Sequence, residues 1–233
     1  MEEIRINKYL SSIGYCSRRE ADRLVEAGRV LIDGQSASMG SRLTGGESIV
    51  VDGKKVGETE DIRKVKRVLL AVNKPRGVVC TTSDNDRAMT IVDMVNYPER
   101  VYPIGRLDKE SEGLILMTND GNLVNSILKA SGYHEKEYEV EVDKPLTEAT
   151  LRKMRSGMYL KDLDKSTRPC EITRTGVRTF NIILTQGLNR QIRRMCEECG
   201  YEVIKLKRIR IMGIRLGSLK EGKWKKIDPE WLN

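Results

Sequence analysis

"GRLDKESEGLILMTNDG", residues 105–121, decides how this chain is read. Its second half holds Leu114-Ile115-Leu116-Met117, a short apolar run closed by Thr118-Asn119-Asp120-Gly121. An apolar run of that length, bounded by turn-forming residues, reads as a buried strand. The first half places Arg106, Asp108 and Lys109 on the approach to that strand, between Gly105 and Gly113. Glycine tolerates unusual backbone angles and close approach, so the two glycines bracket the loop with positions where another group can come near. An aspartate here is either a solvated turn residue or a carboxylate held for chemistry, and the rest of the sequence has to separate these.

Working outward, strand-like runs lie at Val68–Val72, Val78–Thr81, Tyr138–Val142, Thr179–Leu184 and Val203–Met212. "EYEVEV" and "TFNIILT" alternate as half-buried strands do. Leu123–Leu128, Thr147–Arg155 and Asn189–Cys199 read as helices, the last with Ile192, Met195, Cys196 and Cys199 at helical spacing. Helices interrupt the strands irregularly, which argues against a repeated parallel βαβ sheet. The expected class is α+β, with a mixed, largely antiparallel sheet flanked by helices over residues 67–233.

Residues 1–60 read as a separate small module. A helix runs from Ile4 to Ile13. Ser17-Arg18-Arg19-Glu20 fits a capping box opening a second helix, with Ala21, Leu24 and Val25 on its apolar face. Strands at Val30–Ile32 and Ser48–Val51 lead into Asp33-Gly34 and Asp52-Gly53 turns. The polar stretch "GETEDIRKVK" lacks apolar periodicity, and the linker is placed at 61–66.

Charged residues make up 33% and hydrophobic residues 39% of the chain, a globular rather than a disordered balance. No apolar run approaches the roughly 18 residues of a membrane span. "MEEIR" has no basic region leading into an apolar one, so no secretory signal is read. Five scattered cysteines do not make a disulfide framework and fit a reducing cytoplasm. Cys196-x-x-Cys199 has no second pair, and His134 is the only histidine, so no metal site is assigned. Net charge is +8, but residues 1–60 sum to −1, whereas 187–226 carry twelve basic and four acidic side chains. That concentration points to a polyanion, most commonly nucleic acid.

Three segments can carry chemistry. Arg18, Arg19 and Arg23 surround a helix start, where phosphate is attracted. Asp108 has candidate partners in Arg106 and Tyr138; paired with Glu112 it would instead suggest a glycosidase, which requires a separation that sequence does not supply. "QGLNRQIRRMCEECGY", 186–201, enters a helix offering Arg190, Arg193 and Arg194, and its polar N–H groups and arginines suit phosphate or carboxylate. Arg193 directly follows a core position.

"IRINKYLSSIGYCSRREADRLVEAGRVLIDGQ" closely resembles the S4 RNA-binding domain (αL-type), over residues 4 to about 52. The resemblance implies RNA binding through Ser17, Arg18, Arg19 and Arg23. "LLAVNKPRGVVCTT", "GRLDKESEGLILMTNDG", "HEKEYEVEVDKPL" and "QGLNRQIRRMCEECGYEVIKLKRIRI" follow in order. Together they resemble the ribosomal RNA pseudouridine synthases of the RsuA/RluB/RluE/RluF group, nearest its RluF branch, over nearly the whole chain. This implies an isomerase that flips a uridine, most readily in large-subunit (23S) ribosomal RNA, and exchanges its C–N glycosidic bond for a C–C bond. Another ribosomal site or a tRNA anticodon loop is the alternative substrate, and a silent RNA-binding or ribosome assembly factor the alternative role. No cofactor or metal is implied. The resemblance assigns Asp108 as the essential carboxylate, Tyr138 as the ring against the base, and Arg193 as the basic partner orienting Asp108. It assigns RNA contacts to Gly105, Arg106 and Leu107, and to Leu188, Asn189, Arg190, Gln191 and Arg194. Addition to the ring, attack on the sugar and proton abstraction all suit a carboxylate, and residue type does not choose among them.

Overall fold

The computed structural model describes residues 3–58, 66–81 and 88–228. Positions 61–65 of the expected linker lie outside the described residues. Two compact units result, Met1–Arg67 with Asn119–Gly121, and Val68–Thr118 with Asn122–Asn233.

In the first unit, β1 (Ile4–Arg5) precedes α1 (Ile6–Ser12) and α2 (Arg18–Glu26), followed by β2 (Val30–Ile32), β3 (Gln35–Ser36), β4 (Arg42–Leu43), β5 (Ser48–Val51) and β6 (Lys54–Glu58). The first helix starts two residues later than expected, because Ile4 and Arg5 pair with Leu43 and Arg42 instead. Ser17 Oγ caps α2 by accepting from the Glu20 N–H at 3.1 Å. The reciprocal half of the expected capping box is missing: the Glu20 carboxylate accepts from Arg23 at 3.1 Å. Ala21, Leu24 and Val25 are buried against Ile6, Tyr9, Leu10 and the inner residues of β2 and β5. Asp33-Gly34 and Asp52-Gly53 all have positive φ, the angles of a tight two-residue hairpin turn. They close β2 on β3 and β5 on β6 in a four-stranded sheet.

The second unit is built on a nine-stranded sheet. Its strands are β7 (Leu69–Lys74), β8 (Tyr102–Ile104), β9 (Glu112–Thr118), β10 (Lys136–Val142), β13 (Glu171–Arg174), β14 (Thr179–Leu184), β15 (Val203–Ile211), β16 (Ile214–Arg215) and β17 (Trp224–Lys226); a small β11 (Tyr159–Leu160) and β12 (Lys165–Ser166) pair apart from it. The order is β13-β14-β10-β15-β9-β7-β17, with β16 beside β15 and β8 beside β9. Every pair is antiparallel except β15 with β9, so the sheet is mixed and largely antiparallel, as expected. Helices α3 (Ile91–Val95), α4 (Gly121–Leu128), α5 (Glu148–Arg155) and α6 (Gln191–Glu197) accompany it.

The unbroken apolar runs of β7 and β9 follow from burial on both faces. Leu70, Val72, Ile115 and Met117 face one core cluster, and Leu69, Ala71, Leu114 and Leu116 the other. Two expected elements differ. Val78–Thr81 forms no strand and makes one isolated bridge, Val79 to Thr90; the chain leaves the sheet after Lys74 through Pro75, which has no N–H for a ladder. The helix expected over Asn189–Cys199 shortens to Gln191–Glu197, because Arg190 at its start takes left-handed angles (φ 50°).

Gly113 carries the parallel junction. It lies opposite Arg208, with φ 103°. An added Cβ would collide with the Arg208 carbonyl oxygen and lie 2.8 Å from its nitrogen. The clearance at Gly113 therefore serves the neighbouring strand. Gly113→Ala is expected to cost on the order of 2–4 kcal/mol, from a left-handed alanine plus overpacking against backbone. A urea denaturation midpoint equal to the wild type's would contradict this.

Candidate active site

The Asp108 loop, which connects β8 to β9, is fixed by its neighbours through backbone bonds. The Gly77 N–H donates to the Lys109 carbonyl at 2.8 Å, and the Ser111 N–H to the Asp108 carbonyl at 3.0 Å. The Leu107 N–H donates to Cys80 Sγ at 3.4 Å. The 74–80 segment is in turn held by Lys74, which is 0% exposed. Its ammonium donates to the Pro75 and Val78 carbonyls at 2.8 Å each. Burial pushes the Lys74 pKa below the ordinary lysine range, against the pull of Cys80 and the Asp108, Glu110 and Glu112 carboxylates. Lys74 was missed from sequence; the signal was a lysine directly after "LLAVN", where the strand is still buried.

A cleft of about 610 Å³ opens above this loop. Gly105, Arg106, Leu107 and Asp108 line one wall; Leu188, Asn189, Arg190 and Gln191 line another; Tyr138 completes it. Among the residues expected in this unit, Arg193 and Arg194 are the ones that do not line it. Arg194 turns away to Asp162 at 2.7 Å and the Asn189 carbonyl at 3.2 Å.

The expected pairing of Arg193 with Asp108 is replaced by a different arrangement. The ion pair to the Asp108 carboxylate comes from Arg190 Nη1, at 3.8 Å, and the same nitrogen lies 3.2 Å from Glu110. Arg193 is buried on α6 and donates to the Val203 carbonyl at 3.0 Å and, at 3.4 Å, to the Glu110 carbonyl. A buried guanidinium needs acceptors close by; β15 supplies one and the Asp108 loop the other, while Nε is buried without a partner among the described residues. Arg193 thus holds the backbone of the Asp108 loop, while burial and the nearby Arg190 lower its pKa. Glu110 is an ion-pair partner with a lowered pKa, caused first by its own backbone N–H and then by Arg190. Glu112 is paired with Lys205 at 3.4 Å, which gives it a structural partner rather than a glycosidase role.

Two N–H groups at the start of α6 are engaged locally. The Leu188 N–H donates to Gln191 Oε1 at 3.1 Å, and the Gln191 N–H returns to the Leu188 carbonyl at 3.2 Å. Positive charge here resides in side chains. Cys196 is buried within the same core that Cys199 packs against, and burial pushes its thiol up to about 12.

Tyr138 is aimed by an irregularity. Glu137 pairs with Arg210 and Tyr138 with Arg208, so β15 carries one extra residue, Ile209, at this point. Such a bulge bends its strand and redirects side chains. Arg208 is 3% exposed, donates through Nε to the Leu114 carbonyl at 2.6 Å, and stands 5.9 Å from the Tyr138 ring centroid. Its Nη2 is buried without a partner among the described residues. Arg208 lines the cleft and was not singled out from sequence, because "KLKRIRI" hides one inward arginine among outward basic residues.

In the first unit, Ser17 is spent on its cap and Arg23 on Glu20. Arg18 and Arg19 are exposed and make no ion pair among the described residues.

Comparison with known proteins bears on this geometry. The family model described as RNA pseudouridylate synthase matches residues 68–198, and that of the S4 domain residues 4–49. The chain is 48% identical over 231 residues to the Dual-specificity RNA pseudouridine synthase RluF of Escherichia coli K12, covering 98% of this chain and 77% of that one. It is 32% identical to the Ribosomal large subunit pseudouridine synthase B of Bacillus subtilis, covering 97% and 92%. A crystal structure of a pseudouridylate synthase has the same fold, with a TM-score of 0.70 at 24% identity over 98% of each chain.

Lys74→Met is expected to cost about 1–3 kcal/mol, since two buried carbonyls lose a charged donor. Amide exchange across residues 105–111 should accelerate with it. Unchanged exchange there would show that the loop does not depend on the lysine.

Proposed function

This chain belongs to the RNA pseudouridylate synthase family, with an S4 domain ahead of the catalytic domain, and from that premise we propose that it isomerises a uridine of large-subunit ribosomal RNA through Asp108. The observation that carries the reading is that Asp108 and Tyr138, from two separate elements, line one cleft of nucleoside size. The reaction breaks the N1–C1′ bond, turns the uracil, and forms C5–C1′; N1 gains a proton and C5 loses one, so no oxidant or cofactor enters the balance. Asp108 serves as nucleophile or base in this sequence of steps, and Tyr138 packs against the base. Arg190 sets a positive charge beside the Asp108 carboxylate, and Arg193 positions the loop from beneath.

The target base must leave its stack, which costs a few kcal/mol. Phosphate contacts offset that cost. Arg106, exposed at the cleft, and Arg18 and Arg19 of the S4 unit are among the side chains available for them. The names of the relatives support ribosomal RNA of the large subunit as the substrate. The reading places the protein in the cytoplasm, where its free thiols are at home; no helix among the described residues is long and apolar enough to cross a membrane.

The test uses an unmodified transcript of large-subunit ribosomal RNA and maps pseudouridine after incubation. The wild type should form it, and Asp108→Asn should be slower by at least about 10²-fold with an unchanged circular dichroism spectrum. Near-normal turnover by Asp108→Asn, or RNA binding by the wild type without isomerisation, would sink the reading.

A further inference from the structure

We infer that Tyr133 and Arg168 form a stacking platform for a second RNA base at the rim of the cleft, next to the uridine that enters it. The inference rests on the reading of the cleft as the place of that uridine. It starts from an aromatic residue that the core does not use. Tyr133 is 59% exposed. Its backbone is left-handed (φ 49°), a conformation that is uncommon for a bulky side chain and that glycine or asparagine adopts more readily. Neither burial nor turn geometry accounts for a tyrosine there.

The ring is nevertheless held. The Arg168 guanidinium carbon lies 4.2 Å from the ring centroid, a close cation–π stack. Arg168 is itself tied to the cleft wall: its N–H donates to Gln186 Oε1 at 2.9 Å, and Nη1 to the Thr185 carbonyl at 3.2 Å. Arg168, Thr185 and Gln186 all line the cleft, as does His134, the residue after Tyr133.

The loop bearing the ring is anchored on both sides. The Gly132 N–H donates to the Lys129 carbonyl at 2.9 Å, and the Met212 N–H to the Glu135 carbonyl at 2.8 Å. His134 Nε2 is 3.1 Å from the Ser126 carbonyl, and Lys136 donates to the His134 carbonyl at 3.2 Å. Gly132 makes room for this, since a Cβ there would lie 2.7 Å from His134 Cδ2. With Arg168 on one face of a largely exposed ring, what remains is a fixed aromatic surface beside a cation. That is the arrangement on which unpaired bases stack, whatever their identity. A uridine pulled from its helix leaves neighbouring bases without a stacking partner, and a platform at the rim gives one of them a new face.

The experiment measures affinity for an unmodified large-subunit ribosomal RNA transcript at 150 mM salt, in full-length Asp108→Asn protein so that turnover does not intervene. Tyr133→Asn removes the ring yet suits the left-handed backbone, so folding is preserved. It should weaken binding by about 5- to 100-fold, the range of one stacked base. Tyr133→Phe keeps the π face and should bind within about two-fold of the parent. With Asp108 restored, the loss in Tyr133→Asn should fall on KM rather than kcat. Binding by Tyr133→Asn within two-fold of the parent would overturn the platform, as would a Tyr133→Phe loss equal to that of Tyr133→Asn. If the wild type forms no pseudouridine, the catalytic reading fails separately, and the affinities still judge the platform.

Discussion

The parallel pairing of Gly113 with Arg208 is the contact on which the catalytic unit depends. It joins β9, which emerges from the Asp108 loop, to β15, whose bulge aims Tyr138. It brings the strand backbones too close for any side chain at Gly113. The same contact seats Arg208, whose Nε reaches the carbonyl of Leu114, one residue further along β9. Loop, tyrosine and buried cation therefore share one anchor.

Around that anchor the protein buries Lys74, Arg193 and Arg208 while leaving Asp108 half-exposed. Burying a cation costs several kcal/mol unless donors find acceptors. Here the acceptors are backbone carbonyls of the segments that shape the site: Pro75 and Val78, Glu110 and Val203, and Leu114. Hydrogen bonds from charged donors contribute about 1.5–3 kcal/mol each, which is enough to offset much of that cost and lock loop geometry. Among the described residues the carboxylate's ion pair is to Arg190, at a distance longer than a hydrogen bond. A loosely paired carboxylate on a rigid loop is free to engage a substrate without first breaking a strong partner bond.

Much of this was legible in the chain. "LILM" read as a buried strand because both its faces are apolar, and it is one. "TFNIIL" read as a strand by alternation, and Thr179–Leu184 is that strand. Ser17 read as a cap by residue type. These are local properties, set within a few residues by hydrophobic period and backbone chemistry. The motif around Asp108 likewise singled out its loop, and that loop lines the cleft.

What local pattern could not carry was the identity of partners far apart in sequence. Arg190 and Arg193 sit on one helical turn with the same side chain, and only the left-handed backbone at Arg190 and the burial of Arg193 assign one to the carboxylate and the other to the loop's carbonyl. Gly113 announced a close approach, but not that β15 would be what approaches. Arg208 and Lys74 look like other basic residues until the sheet closes over them. The sequence by itself determined the fold class, the strand cores and the loop that bears Asp108, because these follow from periodicity and turn chemistry. The tertiary structure alone decided which cations are buried and what they hold, because burial and hydrogen-bond geometry exist only once β9 and β15 have met.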